Sequence, residues 1–288
     1  MNENQTKINW YPGHMAKTRR LMQEQLKAVD VVIEVVDARI PSASRNPDFD
    51  QLFAGKLRMV VLNKSDLANP SATRQWMAWY EKHGIVAVQS VATDRKARGQ
   101  ILRTIQGALE PKVSRLLEKK GIRKTVRAMI VGIPNVGKSA LINCLSQNAG
   151  ARAENRPGVT RGTQLIRVSR YLELMDTPGI LWPKLEVEQY ARHLAFTGSI
   201  RDQILDTYRL ALLLIEELKA VAPEALVGRY ALETLEGDPQ SLLQAICLRR
   251  GLIARGNTVD EERGAVLLLT EYRAGKLGAL TLELPDKE

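Results

Sequence analysis

Short apolar runs rich in Val and Ile recur along the first two thirds of the chain, and they constrain its fold more than any other feature. The clearest run, VVIEVV at 31–36, is interrupted only by Glu34 and is closed by Asp37. Such runs are typical of strands that are buried on both faces, as in a parallel sheet covered by helices. We predict further strands of this kind at 59–62, 85–88 and 129–131.

Helix-compatible stretches separate these runs, at 74–82 and at 100–109. Two shorter strands are predicted at 164–168 and 172–175, with a tight connection that begins at Ser169. The alternation of strands with helices predicts an α/β fold built on a doubly wound, mostly parallel sheet.

Beyond about residue 185 the apolar residues recur at helical spacing instead. Thr258 and Glu261 have the spacing of a capping box, which predicts the start of a helix, and Gly275 fits its end. Four apolar residues are predicted to share the face of an earlier helix, namely Tyr208, Leu212, Ile215 and Leu218. The C-terminal part is therefore predicted to be helical throughout.

These patterns predict two domains. Residues 1–184 would form the α/β domain, with a basic N-terminal extension at 1–28, and residues 185–288 a small helical domain. Basic residues are also concentrated at 111–127, a segment that would connect two parts of the α/β domain. That segment is either a nucleic-acid contact or a solvated helix surface.

Charge and composition bound the function. The chain carries 42 Lys and Arg residues against 32 Asp and Glu, a formal net charge of +10. This excess favours a polyanionic partner, because clustered basic side chains release counterions from phosphate backbones; a merely soluble basic surface is the alternative. Cys144 and Cys247 are too few for a disulfide framework or a Cys-rich zinc site. No signal-peptide pattern and no bilayer-length apolar run is visible, so a cytoplasmic protein without a membrane partner is expected.

The segment GIPNVGKS at 132–139 matches the phosphate-loop pattern and stands between a predicted strand and a predicted helix. In such loops successive backbone N–H groups and the helix N-terminus face the phosphates of a nucleotide. We expect Lys138 to reach the β- and γ-phosphates and the Ser139 hydroxyl to bind Mg²⁺. The backbone groups expected to contact the nucleotide are those of Asn135, Val136, Gly137 and Ala140.

The sequence NKSD at 63–66 follows a buried strand and predicts which base is bound. The Asp66 carboxylate can accept hydrogen bonds from N1–H and the exocyclic amine of guanine, a pair of donors that adenine lacks. We expect Asn63 to brace the loops, the Lys64 stem to lie over the base, and Ser65 to complete the motif. The loop at 90–92 would offer backbone N–H groups to guanine O6 from Ser90, Val91 and Ala92.

Two further elements complete a GTP site. Asp176 begins DTPG at the end of a predicted strand, and its carboxylate can hold Mg²⁺ through water while the Gly179 N–H bonds the γ-phosphate. Thr160, in the sequence PGVT, would complete the Mg²⁺ shell.

The order of these elements is unusual, because NKSD precedes the phosphate loop instead of following DTPG. A sheet tolerates such a circular permutation if the original termini are joined and the chain is opened elsewhere. With WYPGHMAK at 10–17, VDARIP at 36–41 and DTPGILWPK at 176–184, the whole chain resembles the circularly permuted ribosome biogenesis GTPase A (YlqF) family. The resemblance implies a permuted P-loop GTPase domain, a helical C-terminal domain that contacts ribosomal RNA, and a GTPase acting in late assembly of the large (50S) ribosomal subunit, with no DNA partner.

The group that orients the attacking water is not evident from DTPG, because Ile180 occupies the position where Ras-like enzymes carry Gln. His14 is the candidate, since an imidazole can orient water near neutral pH and the resemblance implies a catalytic role; a structural or RNA-binding role is the alternative. In similar GTPases the residue equivalent to Asn135 ligates K⁺, whereas a loop-bracing Asn is the other interpretation.

Loss of that Gln also leaves a second function open. The chain could be a regulatory GTP-binding scaffold with negligible turnover that acts on a protein partner. A large-subunit assembly GTPase, slow alone and stimulated by the ribosome, is the leading prediction.

Overall fold

The computed structural model describes residues 20, 22–94, 97–120, 125–146, 153–154, 165–169, 172–177, 187–200 and 206–286. His14, Thr160 and Gly179 lie outside the described residues, as does the predicted domain boundary at 184. None of the helices that the structure describes is both long and apolar enough to cross a membrane.

A seven-stranded sheet forms the centre of the N-terminal two thirds, with the strand order β3-β2-β1-β4-β7-β6-β5. The strands are β1 (Val31–Asp37), β2 (Leu57–Asn63), β3 (Val86–Ser90), β4 (Val126–Val131), β5 (Ala153–Glu154), β6 (Leu165–Ser169) and β7 (Leu172–Asp176). Strands β3, β2, β1, β4 and β7 are parallel, whereas β6 runs antiparallel to both β7 and β5. The predicted α/β fold with a mostly parallel sheet is confirmed.

Strand β1 is buried along its whole length, as the Val-rich run predicts. Glu34, the acidic residue inside the apolar run, is buried with it and is paired with Arg58 at 3.0 Å and Arg45 at 3.5 Å. Burial raises the pKa of Glu34 in spite of these two cations. The charge inside the apolar run is thus accommodated by ion pairing and not by exposure of the strand.

Helices connect the parallel strands, and they are α1 (Asp48–Leu52), α2 (Pro70–Lys82), α3 (Ala97–Lys120) and α4 (Lys138–Ser146). Helix α2 begins after Asn69, whose side chain accepts hydrogen bonds from the N–H groups of Ser71 and Ala72. Helix α3 continues well past the predicted 100–109 and includes residues 111–120 of the basic segment 111–127.

The C-terminal part is helical, as predicted, and contains α5 (Glu188–Phe196), α6 (Thr207–Val221), α7 (Pro223–Tyr230), α8 (Pro239–Arg249) and α9 (Glu261–Arg273). The predicted capping box is wrong in its first residue. Asp260, not Thr258, is the N-cap of α9, and its carboxylate accepts the Arg263 N–H at 3.1 Å. Gly275, with φ +72°, follows the end of α9 as predicted.

The buried face of α6 is rotated from the predicted one. Leu214, Ile215 and Leu218 are fully buried, whereas Tyr208 and Leu212 are half-buried. Residues of this helix belong to the same apolar cluster as Val35 of β1 and Ile130 of β4. Apolar packing is therefore continuous from the sheet into the helical part.

Candidate nucleotide-binding site

The carboxyl ends of the parallel strands bring the predicted site residues to one edge of the sheet. Asn63 at the end of β2 is in register with Ser90 of β3, and Asp176 of β7 is in register with Ile130 of β4. Ligands of open α/β sheets bind at this edge, outside the strand ends. NKSD, the loop at 90–92, the phosphate loop and DTPG therefore all start from the same edge.

The phosphate loop passes very close to two neighbouring segments. A Cβ on Gly132 would lie 2.5 Å from the Val35 carbonyl oxygen, and one on Gly137 would lie 2.2 Å from Asn63 Nδ2. Both glycines also have positive φ, +150° and +98°, which side chains rarely adopt. The glycines of the motif are thus required by close approach as well as by backbone conformation.

Lys138 lies inside the phosphate loop. Its ammonium is buried and donates a hydrogen bond to the Ile133 carbonyl oxygen at 2.8 Å. Burial lowers the pKa of Lys138 to about 8, although the nearby Asp176 acts in the opposite direction. A buried ammonium with so little anionic compensation is suited to a phosphate group, which would restore its charge.

Ser139 and Asp176 supply a donor set that fits Mg²⁺. Ser139 is exposed at the start of α4, and the half-buried Asp176 ends β7 close enough to interact with Lys138. Burial disfavours the charged form of the Asp176 carboxylate and so raises its pKa. A bound cation would offset this cost by stabilising the carboxylate. Hydroxyl and carboxylate oxygens, completed by phosphate and water, are the ligands that Mg²⁺ prefers.

Asn63 joins three loops of the site. Its Nδ2 donates to the Val136 carbonyl oxygen at 2.8 Å, and its Oδ1 accepts the Ala92 N–H at 3.1 Å. The Ser65 N–H and hydroxyl both donate to the Ser90 carbonyl oxygen at 3.1 Å. NKSD is thereby tied to the phosphate loop on one side and to the loop at 90–92 on the other.

One consequence bears on the sequence prediction for the loop at 90–92. The buried Ala92 N–H is bonded to Asn63, so a contact of this donor with guanine O6 would require that hydrogen bond to be exchanged, and the contact stays a prediction. The Asp66 carboxylate remains exposed at the tip of its loop, as base recognition requires.

Lys64 connects the site to a residue that the sequence reasoning did not select. Its Nζ donates to the Asn135 carbonyl oxygen and to Asp37 Oδ2, both at 2.8 Å. Asp37 is fully buried and also accepts two hydrogen bonds from the Arg39 guanidinium, at 2.8 and 2.9 Å. Burial alone would raise the pKa of Asp37, but Arg39 and Lys64 hold it well below its usual range. The sequence signals for this role are the position of Asp37 at a strand end and its place in VDARIP at 36–41.

The site also touches the helical part. Asn135 Nδ2 donates to the Gly198 carbonyl oxygen at 2.8 Å, just after α5. Arg39 donates to the Arg273 carbonyl oxygen at 3.4 Å and lies over the Tyr272 ring. The phosphate loop and the loop after β1 therefore both contact the helices.

His193 is a second residue that the sequence motifs do not select. It is fully buried, with Nδ1 2.7 Å from Glu283 and Nε2 3.2 Å from Glu217. Burial alone would lower the pKa of His193, but the two carboxylates raise it to about 9. His193 is therefore a buried cation between two acidic side chains. His83 is exposed and stacks on Trp79.

Comparison with known proteins agrees with this geometry. A protein-family model described as a 50S ribosome-binding GTPase matches residues 127–239, a range that begins in β4. The ribosome biogenesis GTPase A of Priestia megaterium is 45% identical over 282 residues, covering 97% of this chain and 98% of the relative. The same-named protein of Thermotoga maritima is 30% identical over 279 residues, covering 97% and 95%.

Two solved structures are similar over nearly the whole chain. The GDP-bound YlqF structure has a TM-score of 0.65 at 27% identity, with 92% of this chain and 99% of that chain covered. The GNP-bound YlqF of T. maritima has a TM-score of 0.63 at 27% identity, with 94% and 100% covered.

Proposed function

The chain belongs to the ribosome biogenesis GTPase A family, and from this premise we propose that its nucleotide state controls its association with the large (50S) ribosomal subunit. It is a GTPase that acts in ribosome assembly. We further propose that the protein contacts the rRNA of this subunit through the helical domain and that it is located in the cytoplasm. The net charge of +10 supports an RNA partner.

The observation that carries the nucleotide-binding part of this proposal is the position of Asn63. Its side chain is hydrogen-bonded both to the phosphate loop and to the loop at 90–92. The segments expected to bind the base and the phosphate loop therefore form one site. Such a fixed arrangement lets one nucleotide contact both segments without reorganisation. In this site Asp66 would read guanine and Lys138 would bind the β- and γ-phosphates.

We further propose that Ser139, Thr160 and Asp176 hold Mg²⁺, with Asp176 acting through water. The ion would neutralise charge that develops on the phosphate oxygens. The Gly179 N–H would contact the γ-phosphate, as proposed for the backbone groups of Asn135, Val136, Gly137 and Ala140.

His14 is our candidate for orienting the attacking water, because the residue after Gly179 is the apolar Ile180. Asn135 is a candidate K⁺ ligand. Its side chain is bonded to Gly198 here, so binding of K⁺ would require that contact to be exchanged.

Replacing guanine by xanthine in the nucleotide tests the assignment of Asp66 to base recognition. In Asp66→Asn the amide presents a donor to guanine N1–H, so GTP affinity should fall and affinity for xanthosine triphosphate should rise. Isothermal titration with both nucleotides measures this change. Unaltered GTP affinity in Asp66→Asn would remove NKSD from base recognition.

A turnover assay separates the assembly GTPase from the scaffold with negligible turnover. GTP hydrolysis should rise many-fold when purified 50S subunits are added, and 30S subunits serve as the control. A rate that stays negligible with 50S particles would favour the scaffold.

A further inference from the structure

Residues near the C-terminal end of the described chain lie against the loop that carries NKSD (63–66) and continues to Asn69. Residues 280–283, which we call the C-terminal strap, follow α9 and lie against loops after β1 and β2. The Leu280 N–H donates to the Leu67 carbonyl oxygen at 3.0 Å, and the Leu282 N–H donates to the Arg39 carbonyl oxygen at 2.9 Å. The Asn69 N–H donates to Thr281 Oγ1 at 3.0 Å.

Glu283 anchors this strap. Its buried carboxylate accepts the Ser42 N–H at 2.6 Å and the Ala43 N–H at 3.1 Å, and it contacts His193 of α5 at 2.7 Å. Its carbonyl oxygen accepts the indole N–H of Trp76 in α2 at 2.9 Å. The anchor therefore connects the strap to the sheet edge, to α2 and to the helical part.

The strap contacts fall on the C-terminal side of Asp66. Ser65 is held by Ser90 on the other side, whereas Leu67 and Asn69 are held by the strap. Asp66 itself is exposed between these fixed points. A carboxylate that must meet two donors on guanine gains affinity when its loop is already held in the binding geometry.

We propose that the C-terminal strap is a positioning element for guanine recognition, in which Thr281 holds the loop that carries Asp66 and Glu283 anchors the strap to the rest of the protein. The inference rests on the proposed role of Asp66. The part of the chain that follows the helical region would thus contribute to base specificity at the other end of the sequence, without touching the nucleotide.

Comparison of GDP with inosine diphosphate tests this role. Inosine lacks the exocyclic 2-amino group, so the ratio of the two affinities reports how well the carboxylate is placed. Thr281→Val removes the acceptor of the Asn69 N–H. Glu283→Gln leaves a single acceptor oxygen where the carboxylate uses one oxygen for the Ser42 and Ala43 N–H groups and the other for His193. Loss of one such hydrogen bond, about 1 kcal/mol, should lower the GDP preference roughly fivefold.

Two matched variants serve as controls. Thr281→Ser keeps the hydroxyl and should retain the parental preference. Leu284→Ala changes an exposed side chain directly after the strap and should also leave the preference unchanged. Titrations are made on the full chain, and circular dichroism confirms that each variant is folded.

The outcomes are distinct. A preference that falls in Thr281→Val and Glu283→Gln, and is retained in Thr281→Ser, supports the proposal. A parental preference that persists in both variants overturns the strap and leaves base recognition by Asp66 intact. Equal losses for GDP and inosine diphosphate also overturn it, because they indicate general destabilisation. If the parental protein and Asp66→Asn show no preference, the proposed role of Asp66 fails and the strap proposal fails with it.

Hydrogen exchange gives an independent measurement. Because coupling between two sites is reciprocal, GDP should slow exchange of the Leu280 and Leu282 amides by the factor by which strap loss weakens GDP binding. Exchange that is unaffected by GDP would overturn the proposal.

Discussion

The buried cation at His193 makes the stability of the protein depend on pH in a defined direction. The pKa is raised from 6.5 to about 9 because Glu217 and Glu283 outweigh the cost of burial. A pKa that is higher in the folded state stabilises the fold fully below about pH 6.5, and this stabilisation is lost as the pH rises through 9. Between pH 7 and pH 9 the free energy of unfolding should fall by roughly 2 kcal/mol from this group.

Lys138 acts in the same interval with the opposite sign. Its pKa is lowered to about 8 by burial, so its unfavourable contribution is relieved as the pH rises. The pH profile of the parental protein alone would therefore mix the two groups. A variant at His193 that leaves Lys138 unchanged separates them.

Urea unfolding at pH 7, 8 and 9 provides the assay, with His193→Gln as the test variant. The variant loses a cation between two acidic side chains and should be less stable at pH 7 by about 3 kcal/mol. The difference in stability between the parental protein and the variant should therefore shrink by roughly 2 kcal/mol from pH 7 to pH 9. Glu217→Gln keeps the Glu283 carboxylate on His193. Its stability at pH 7, and the fall of that stability towards pH 9, should lie between those of the parental protein and of His193→Gln. A parental-minus-variant difference that is constant from pH 7 to pH 9 would refute the buried imidazolium.

Three further predictions concern the nucleotide site and its link to the helices. Gly137→Ala should weaken GTP binding about tenfold, because the new methyl group would displace the Asn63 amide; Gly256→Ala, with similar φ and open space, is the matched control in the same titration. His14→Ala should retain GTP affinity and lose about 10²-fold or more of the 50S-stimulated hydrolysis, and a parental rate would assign His14 to structure or RNA binding. A flexible Gly-Ser insertion after Lys184 should reduce the preference of 50S particles for the GTP form over the GDP form, measured by co-sedimentation. Coupling of about 1–3 kcal/mol would be lost. An unchanged preference would exclude a mechanical connection from DTPG to the helical part through this segment.

Local sequence was sufficient for six of the seven strands, whereas no pattern indicates the two-residue strand β5 (Ala153–Glu154). The run at 31–36 predicts a strand buried on both faces, and β1 is buried throughout. The phosphate loop is recognised locally from glycines at fixed spacing, which permit the positive φ of Gly132 and Gly137. Parallel strands end at one edge, so the meeting of Asn63 and Ser90 could be predicted from chain order alone.

Partners that lie far apart in the chain were decided only by the tertiary structure. The sequence around Asp37 does not indicate that its carboxylate binds Lys64, and the sequence around His193 does not indicate that Glu283 lies 2.7 Å away. Periodicity reports which face of an element is buried, but not which polar group lies opposite. Even within a short segment, the choice of Asp260 over Thr258 as the N-cap of α9 depended on where the helix begins in its packed position. Buried polar groups need specific partners, and those partners exist only once the chain has folded.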